Sequence, residues 1–128
     1  MRALLDTHAF LWFLEGSDQL SSTARETIED GGNVVLVSVA SLWEIAVKHS
    51  LGRLDLGKPF EVLIPEELSA NAIGILQVEI SHLTRIISLP FHHRDPFDRL
   101  IVAQALVENL PVIGVDPAFD LYGVERIW

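Results

Sequence analysis

Acidic residues directly follow two short apolar runs of this sequence. Asp6 comes after Ala3 to Leu5, and Asp116 comes after Val112 to Val115. Ligand sites of open α/β sheets lie beyond the carboxyl ends of the strands, at the point where the strand order reverses. If the two runs are parallel strands, both carboxylates emerge at the same edge of one sheet. Each acid, taken singly, is also explained by capping of the helix that follows it.

Asp98 is harder to explain as a structural residue. Asp95 already suits the N-cap of the following helix, with Pro96 at the first helical position. Asp98 heads the apolar stripe that continues with Ile101 and Val102, and such a stripe faces the sheet. An unpaired carboxylate there costs several kcal/mol, of which the helix dipole offsets only part. This cost favours a functional role for Asp98.

Glu44 has a simple structural explanation when it is considered alone. It lies with Lys48 off the apolar face of a predicted helix, and a surface ion pair one turn apart accounts for both residues. This helix, however, follows the apolar run Val34 to Val37, so Glu44 is expected near the same sheet edge as the other acids. Four carboxylates from separate segments are therefore expected to converge.

The expected cluster consists of Asp6, Glu44, Asp98 and Asp116. Close carboxylates disfavour joint ionisation, so such a cluster needs a cation in surroundings poor in water. Hard oxygen ligands select Mg²⁺ or Mn²⁺ over zinc. The cluster therefore predicts metal-assisted phosphoryl or phosphodiester chemistry.

Short apolar runs alternate with segments of helical periodicity along the chain, and these elements must position the acids. Runs rich in Val, Ile and Leu without polar alternation are typical of strands covered by helices on both faces. The predicted strands are Ala3 to Leu5, Val34 to Val37, Ile73 to Val78 and Val112 to Val115, with Val124 to Trp128 as an additional edge strand. The predicted helices are about His8 to Glu15, Ser22 to Glu29, Ser41 to Leu51, Pro59 to Ala70, His82 to Leu89 and Pro96 to Asn109. This order predicts an α/β fold with a parallel sheet.

Size and composition limit the functions open to the chain. Its 128 residues are expected to form one domain, residues 1–128, because domains cluster near about 100 to 150 residues. A net charge of −9 opposes nonspecific attraction to nucleic-acid phosphates or anionic membranes. The absence of cysteine excludes disulfides, thiolate catalysis and cysteine metal sites, and it suits a reducing compartment. Without a signal peptide or an apolar stretch long enough to span a membrane, the sequence predicts a cytoplasmic protein.

Four groups of residues together carry a resemblance to a known family. They are Leu4-Leu5-Asp6-Thr7-His8, then Ser41-Leu42-Trp43-Glu44-Ile45, then His92 through Asp98 to Ile101, and finally Val115-Asp116 followed by Phe119 and Tyr122. The sequence resembles the PIN-domain ribonucleases, specifically the VapC-type toxins of bacterial toxin–antitoxin pairs. The resemblance extends over essentially the whole chain.

The resemblance implies a three-layer α/β/α sandwich around a parallel sheet of four to five strands. It also implies a metal-dependent endoribonuclease whose activated water cuts RNA, leaving a 5′-phosphate and a 3′-hydroxyl. The family's metal-binding acids correspond to Asp6, Glu44, Asp98 and Asp116, with Mg²⁺ or Mn²⁺ as the cofactor. One departure is Gly114, which stands where the family usually has Thr or Ser, so a hydroxyl that helps to orient an acid or water is absent.

The resemblance further implies three partners, namely an RNA substrate, a small cognate antitoxin and a second copy of the chain in a homodimer. A basic antitoxin peptide would suit the negative charge of this protein. The apolar stretch Ala9 to Leu14 is either the dimer surface or internal core.

Few basic residues are available to contact RNA phosphates. Lys48, Arg94 and Arg99 are the residues expected to do so, while the adjacent His92 and His93 are equally consistent with a solvated loop. The three tryptophans are more typical of core than of base stacking, so they are not assigned to the site.

The hydroxyl groups of Thr7 and Ser38 each have two possible roles. Thr7 and Ser38 either supply a hydroxyl to the acidic site or cap the helices that follow them.

Two other functions fit parts of the pattern. A PIN-like domain that only binds RNA or protein would use the acids as helix caps. A haloacid-dehalogenase-like phosphatase also has an aspartate after its first strand, but it needs a second acid two residues later, and that position is His8. Without that proton donor the covalent route is disfavoured.

Overall fold

A computed structural model describes residues 1–128. The strands are β1 (Arg2–Leu5), β2 (Val34–Ser38), β3 (Ile73–Leu76), β4 (Val112–Ile113) and β5 (Arg126–Ile127). The helices are α1 (Thr7–Glu15), α2 (Ser22–Glu29), α3 (Val39–Ser50), α4 (Phe60–Ala70), α5 (Ile80–Ile87) and α6 (Pro96–Glu108), and a 3₁₀ helix covers Pro117–Tyr122.

The five strands form one sheet in the order β3-β2-β1-β4-β5, and every neighbouring pair is parallel. Leu5 in β1 lies opposite Val37 in β2 and Ile113 in β4. After β1 the chain forms β2 and β3 on one side of it, and then β4 and β5 on its other side. The strand order therefore reverses between β1 and β4, which is where open sheets of this type bind ligands.

Two apolar cores cover the two faces of the sheet. Ala3 and Leu5 belong to the core that packs under α1, α2, α3 and α4. Leu4, which points to the opposite face, belongs to the core formed with α6 and the 3₁₀ helix. Because alternate residues of β1 are buried on opposite faces, a run without polar residues is what this strand requires.

The predicted α/β sandwich with a parallel sheet is confirmed, including the edge strand near the end of the chain. The helix α5 begins at Ile80, two residues before the predicted His82. The difference has a local cause, since the N–H of Glu79 donates to Nδ1 of His82 and so extends the first turn. Nε2 of the buried His82 also contacts Glu108, which fastens α5 to α6.

The stretch Ala9 to Leu14 in α1 is chiefly a core element. Ala9 and Phe10 are fully buried, and the next four residues are half-buried against the same core. No helix of the fold has the length and apolar character needed to cross a lipid bilayer.

Candidate active site

Asp6 and Asp116 lie at the carboxyl ends of β1 and β4, on the two sides of the point where the strand order reverses. Each uses one oxygen as a helix cap. Oδ1 of Asp6 accepts the N–H of Ala9 at 2.7 Å, and Oδ1 of Asp116 accepts the N–H of Ala118 at 2.9 Å. Each cap occupies only Oδ1, so Oδ2 of Asp6 lies outside its cap, while Oδ2 of Asp116 is hydrogen-bonded to Nε2 of His93 at 2.9 Å.

Gly114 leaves space for the carboxylate of Asp6. A Cβ atom at position 114 would lie 2.5 Å from Oδ2 and 3.0 Å from Cγ of Asp6. The register explains this closeness, because Leu5 pairs with Ile113 and the next residues of the two strands then face each other. The glycine that departs from the family pattern therefore leaves room for Asp6, on the neighbouring strand.

Glu44 is buried, with only 4% of its surface exposed, and both of its oxygens are bonded. Oε1 accepts the hydroxyl of Thr7 at 2.8 Å, and Oε2 pairs with Nζ of Lys48 at 2.7 Å. Thr7 has one hydroxyl proton, so its contact with Ser41 at 2.9 Å is completed by the proton of Ser41. The expected pair with Lys48 is present, but it lies at the site and is not a surface pair.

Asp98 lies in the first turn of α6, and its carboxylate approaches the same histidine ring to which Asp116 is hydrogen-bonded. Nε2 of His93 lies 3.2 Å from Oδ2 of Asp98 and 2.9 Å from Oδ2 of Asp116. Nδ1 of the same ring accepts the N–H of Asp95 at 3.2 Å, which leaves the ring proton on Nε2. The ring is held further by its backbone N–H, which donates to the hydroxyl of Tyr122 at 2.8 Å.

Two of the four acids hold their protons unusually tightly. Burial raises the pKa of Asp6 to about 7; its hydrogen bond from Ala9 opposes the rise, and the charges of Asp98, Asp116 and Glu44 add to it. Burial also raises the pKa of Asp98 to about 6, helped by the charge of Asp95 and opposed by His93. These mutual effects place the four acids within electrostatic reach of one another, in a pattern common at functional sites.

The chemistry of these donors fits a hard divalent cation. Carboxylate oxygens are the ligands that Mg²⁺ and Mn²⁺ prefer, and a cation relieves the repulsion that raises the two pKa values. In the described conformation no three acidic or histidine side chains surround a common point at metal-binding distance. The reason is visible in the contacts, since Asp98 and Asp116 turn toward His93 while Glu44 turns toward Thr7 and Lys48.

The basic residues expected to contact RNA differ in their surroundings. Lys48 is half-exposed and ion-paired with Glu44, and Arg94 is exposed beside the site. Arg99 requires a correction, because it is only 7% exposed. Its guanidinium donates to the carbonyls of Pro90, Ile86 and Leu89 and lies over the ring of Phe91, so it holds the end of α5 instead of facing solvent.

Ser38 and Thr7 were each predicted either to cap a helix or to supply a hydroxyl to the site, and the structure assigns one of these roles to each. Ser38 caps α3, because its Oγ accepts the N–H of Ala40, and it donates to Gln104. Thr7 does not cap a helix through its side chain; it binds Glu44 at the site.

Two residues close to these acids have surroundings that the sequence did not predict. The position of His93, five residues before Asp98, gave no metal-ligand spacing, and its role depends on a loop conformation. Trp43 was placed with the core tryptophans, yet it is 59% exposed. Its position directly before Glu44, off the apolar face of α3, was the signal that could have found it.

The largest surface cavity is elsewhere. It measures about 340 Å³ and lies at the amino ends of β2 and β3, between Phe13, Asn33, Val35 and Ala72. This is the sheet edge opposite the acids. None of the surface cavities of the fold is lined by any of the four acids.

The fold is an α/β sandwich whose carboxylates gather where the strand order reverses, which is the ligand-binding position of open parallel sheets. The sequence profile of the PIN domain matches residues 3–125, and the chain belongs to the PIN domain family. This confirms the family resemblance predicted from the motifs.

Two relatives add detail to this assignment. The chain is 32% identical over 66 residues to Ribonuclease VapC16 of Mycobacterium tuberculosis; the alignment spans 52% of this chain and 46% of that protein, which is less than half of its length. The fold matches a chain in the crystal structure of VapBC2 from Rickettsia felis with a TM-score of 0.73 over 100% of both chains. That structure was solved with VapBC2 bound to a DNA fragment from its own promoter. At 14% identity this second likeness shows the fold alone.

Proposed function

We propose that this protein is an Mg²⁺- or Mn²⁺-dependent endoribonuclease, a VapC-type toxin whose activity is blocked by a small cognate antitoxin. The observation that carries the proposal is the cluster of Asp6, Glu44, Asp98 and Asp116 at the reversal of strand order, with burial and mutual repulsion raising two of their pKa values. The similarity to Ribonuclease VapC16 supports RNA as the substrate.

Each acid has a role that its contacts support. Asp6, Asp98 and Asp116 hold the cation, while Glu44 orients water or a second ion from its fixed position between Thr7 and Lys48. When bound, the divalent ion lowers the pKa of a water molecule and polarises the phosphodiester. Residues 1–128 act as one PIN domain in this proposal.

His93 limits access to two of these acids. Its Nε2–H is hydrogen-bonded to Oδ2 of Asp116, and the same nitrogen lies 3.2 Å from Oδ2 of Asp98, so a cation that takes these oxygens competes with the histidine. Lys48 and the exposed Arg94 are the cations placed to meet RNA phosphates. Nine basic against 18 acidic residues leave little other attraction for a polyanion.

The proposed setting is the cytoplasm, with RNA as substrate and a second copy of the chain as partner in a homodimer. The net charge of −9 favours a basic segment of the antitoxin over the acidic site, because complementary charge speeds association and excludes wrong partners.

The test is cleavage of single-stranded RNA by the natural chain and by Asp98→Asn, each with Mg²⁺, with Mn²⁺ and with EDTA. We expect metal-dependent cleavage that falls at least about 100-fold in Asp98→Asn, because a cation ligand is lost. Asp95→Asn is the matched control. It removes a neighbouring charge but keeps the N-cap of α6, since Asn caps as well as Asp.

Other outcomes identify the other functions. RNA binding without cleavage by a folded, antitoxin-free chain, tested on tRNA and ribosomal RNA as well as mixed sequences, would contradict the proposal and indicate a binding domain. Hydrolysis of small phosphate monoesters in place of RNA would indicate a phosphatase. Equal cleavage by the natural chain and Asp98→Asn would show that Asp98 takes no part in the reaction.

A further inference from the structure

Trp43 is the one tryptophan whose ring faces solvent. It is 59% exposed, whereas Trp12 and Trp128 are half-buried and pack against each other with ring centres 5.9 Å apart. Burying a large aromatic ring is strongly favourable, so an exposed tryptophan on a rigid helix indicates a surface that something else covers.

The position of Trp43 relates it to the acidic site. It directly precedes Glu44 in α3, and its ring meets Phe97, which directly precedes Asp98 in α6, edge to face at 4.9 Å. The aromatic pair therefore bridges the two helices that carry two of the four acids. Because Phe97 supports the indole, the ring is held in place before any ligand arrives.

The surroundings of this pair favour a nucleic-acid base over an apolar peptide. Lys48 lies on the same helix as Trp43, and the exposed Arg94 lies three residues before Phe97. Aromatic rings flanked by basic side chains are the arrangement with which proteins bind single strands, since the rings stack on bases and the cations meet phosphates. Another exposed apolar surface, formed by Ile80, Leu83 and Ile87 on α5, is aliphatic.

We propose that Trp43, supported by Phe97, is a stacking platform for an unpaired base of the RNA strand that crosses the acidic site. This proposal rests on the proposed nuclease function and adds a substrate-binding residue to it. In this proposal, Trp43 holds a nucleotide that neighbours the nucleotide at which the strand is cut. A single-stranded substrate is required, because a base in a duplex does not expose its face.

Tryptophan fluorescence tests this contact directly. In a chain carrying Trp12→Phe, Trp128→Phe and Asp98→Asn, the remaining signal comes from Trp43 and RNA is not cut. Titration with a short single-stranded RNA in Mg²⁺ should quench this signal. An abasic strand with the same number of phosphates should not, because it keeps the charge but has no ring to stack.

Cleavage kinetics in the otherwise natural chain provide the second measurement. Trp43→Ala should raise KM about 5- to 150-fold, as expected for the loss of one stacked base, with a smaller change in kcat. Trp43→Phe should recover much of the loss. The matched control is Ile87→Ala, which removes an exposed apolar side chain, 86% exposed, from α5 and should leave KM unchanged.

Three results would overturn the platform: equal quenching by abasic and natural strands, an unchanged KM in Trp43→Ala, or a loss in Trp43→Ala that Phe does not restore. If Trp43→Ala changes only self-association or binding of a protein partner, the surface is a protein contact and the proposal is wrong. The nuclease proposal is tested separately, by RNA cleavage with the chain that retains Trp43, so its failure can be distinguished from failure of the stacking proposal.

Discussion

Asp6 has different surroundings at its two carboxylate oxygens. Oδ1 fastens the start of α1, and Oδ2 sits in the space left by Gly114. The sequence presented capping and function as competing explanations of this residue, but the geometry allows both. A side chain fixed in this way needs little reorganisation to bind a cation, because the cap already restricts its rotamers.

The raised pKa of Asp6 predicts how stability depends on pH without metal. The pKa of Asp6 is about 7 in the folded chain and near its ordinary value of 3.8 in the unfolded chain, so the folded state binds the proton more tightly. The stabilisation is complete below the unfolded value and is lost as pH rises toward 7. Asp6→Asn, which keeps the cap, should therefore be more stable than the natural chain at pH 8, by on the order of 4 kcal/mol.

Urea denaturation in EDTA at pH 5 and pH 8 measures this difference. The advantage of Asp6→Asn should be much smaller at pH 5, because Asp6 of the natural chain is then largely protonated. A difference that stays constant with pH would show that burial of Asp6 does not affect its proton affinity. Asp18→Asn is a control, since Asp18 is exposed on the surface.

Gly114→Ala tests whether the missing Cβ matters to the site. A methyl group 2.5 Å from Oδ2 of Asp6 must displace a buried, capped carboxylate, and this should cost about 1 to 3 kcal/mol of stability. We expect weaker Mn²⁺ binding by calorimetry as well. Gly31→Ala is the matched control, because nothing lies within 4 Å of a Cβ there. Equal metal affinity in Gly114→Ala would mean that Asp6 tolerates displacement.

At the scale of elements, a buried glutamine joins α6 to the carboxyl ends of β2 and β3. Gln104 is fully buried; its Oε1 accepts the hydroxyl of Ser38 at the end of β2, and its Nε2 donates to the carbonyl of Gln77 after β3 at 3.2 Å. This connection sets the position of α6, and hence of Asp98, relative to the sheet.

Gln104→Leu should lower the free energy of unfolding by about 2 to 4 kcal/mol, because the hydroxyl of Ser38 and the carbonyl of Gln77 lose their partners in a buried region. Chemical denaturation measures the loss. Gln19→Leu, at an exposed position, should change stability by less than about 0.5 kcal/mol. A Gln104→Leu chain as stable as the natural one would show that apolar packing replaces the polar link.

The order and types of the elements were predictable, but several side-chain environments were not. The runs Ala3 to Leu5 and Val34 to Val37 have the composition of strands buried on both faces, and the structure places them at the sheet centre. The burial of Glu44 and Arg99 was not predictable, because it depends on how α3 and α6 pack in space. The closeness of Gly114 to Asp6 depends on strand register, which a single sequence does not specify.

At the scale of the whole molecule, negative charge is concentrated at the acidic site. The chain carries −9, and part of that charge is concentrated at a partly buried sheet edge, where repulsion acts against the folded state. The acids are retained at a cost to stability, as is common where a functional site requires like charges to lie together. A cation that binds only the folded chain should recover this cost.

Mn²⁺ should therefore raise the melting temperature of the protein. At about 100 times its Kd, a ligand of the folded state adds about 2.7 kcal/mol, which corresponds to roughly 10 °C for a domain of this size. The shift should be larger at pH 8 than at pH 5, because Asp6 and Asp98, with pKa values raised to about 7 and about 6, bind a cation only after losing their protons. Asp98→Asn should lose most of the shift and Asp95→Asn should keep it, with NaCl at matched ionic strength as the reference for screening. An equal shift in both variants, or one reproduced by NaCl, would mean that the cation acts on the general surface charge and that the four carboxylates do not form its site.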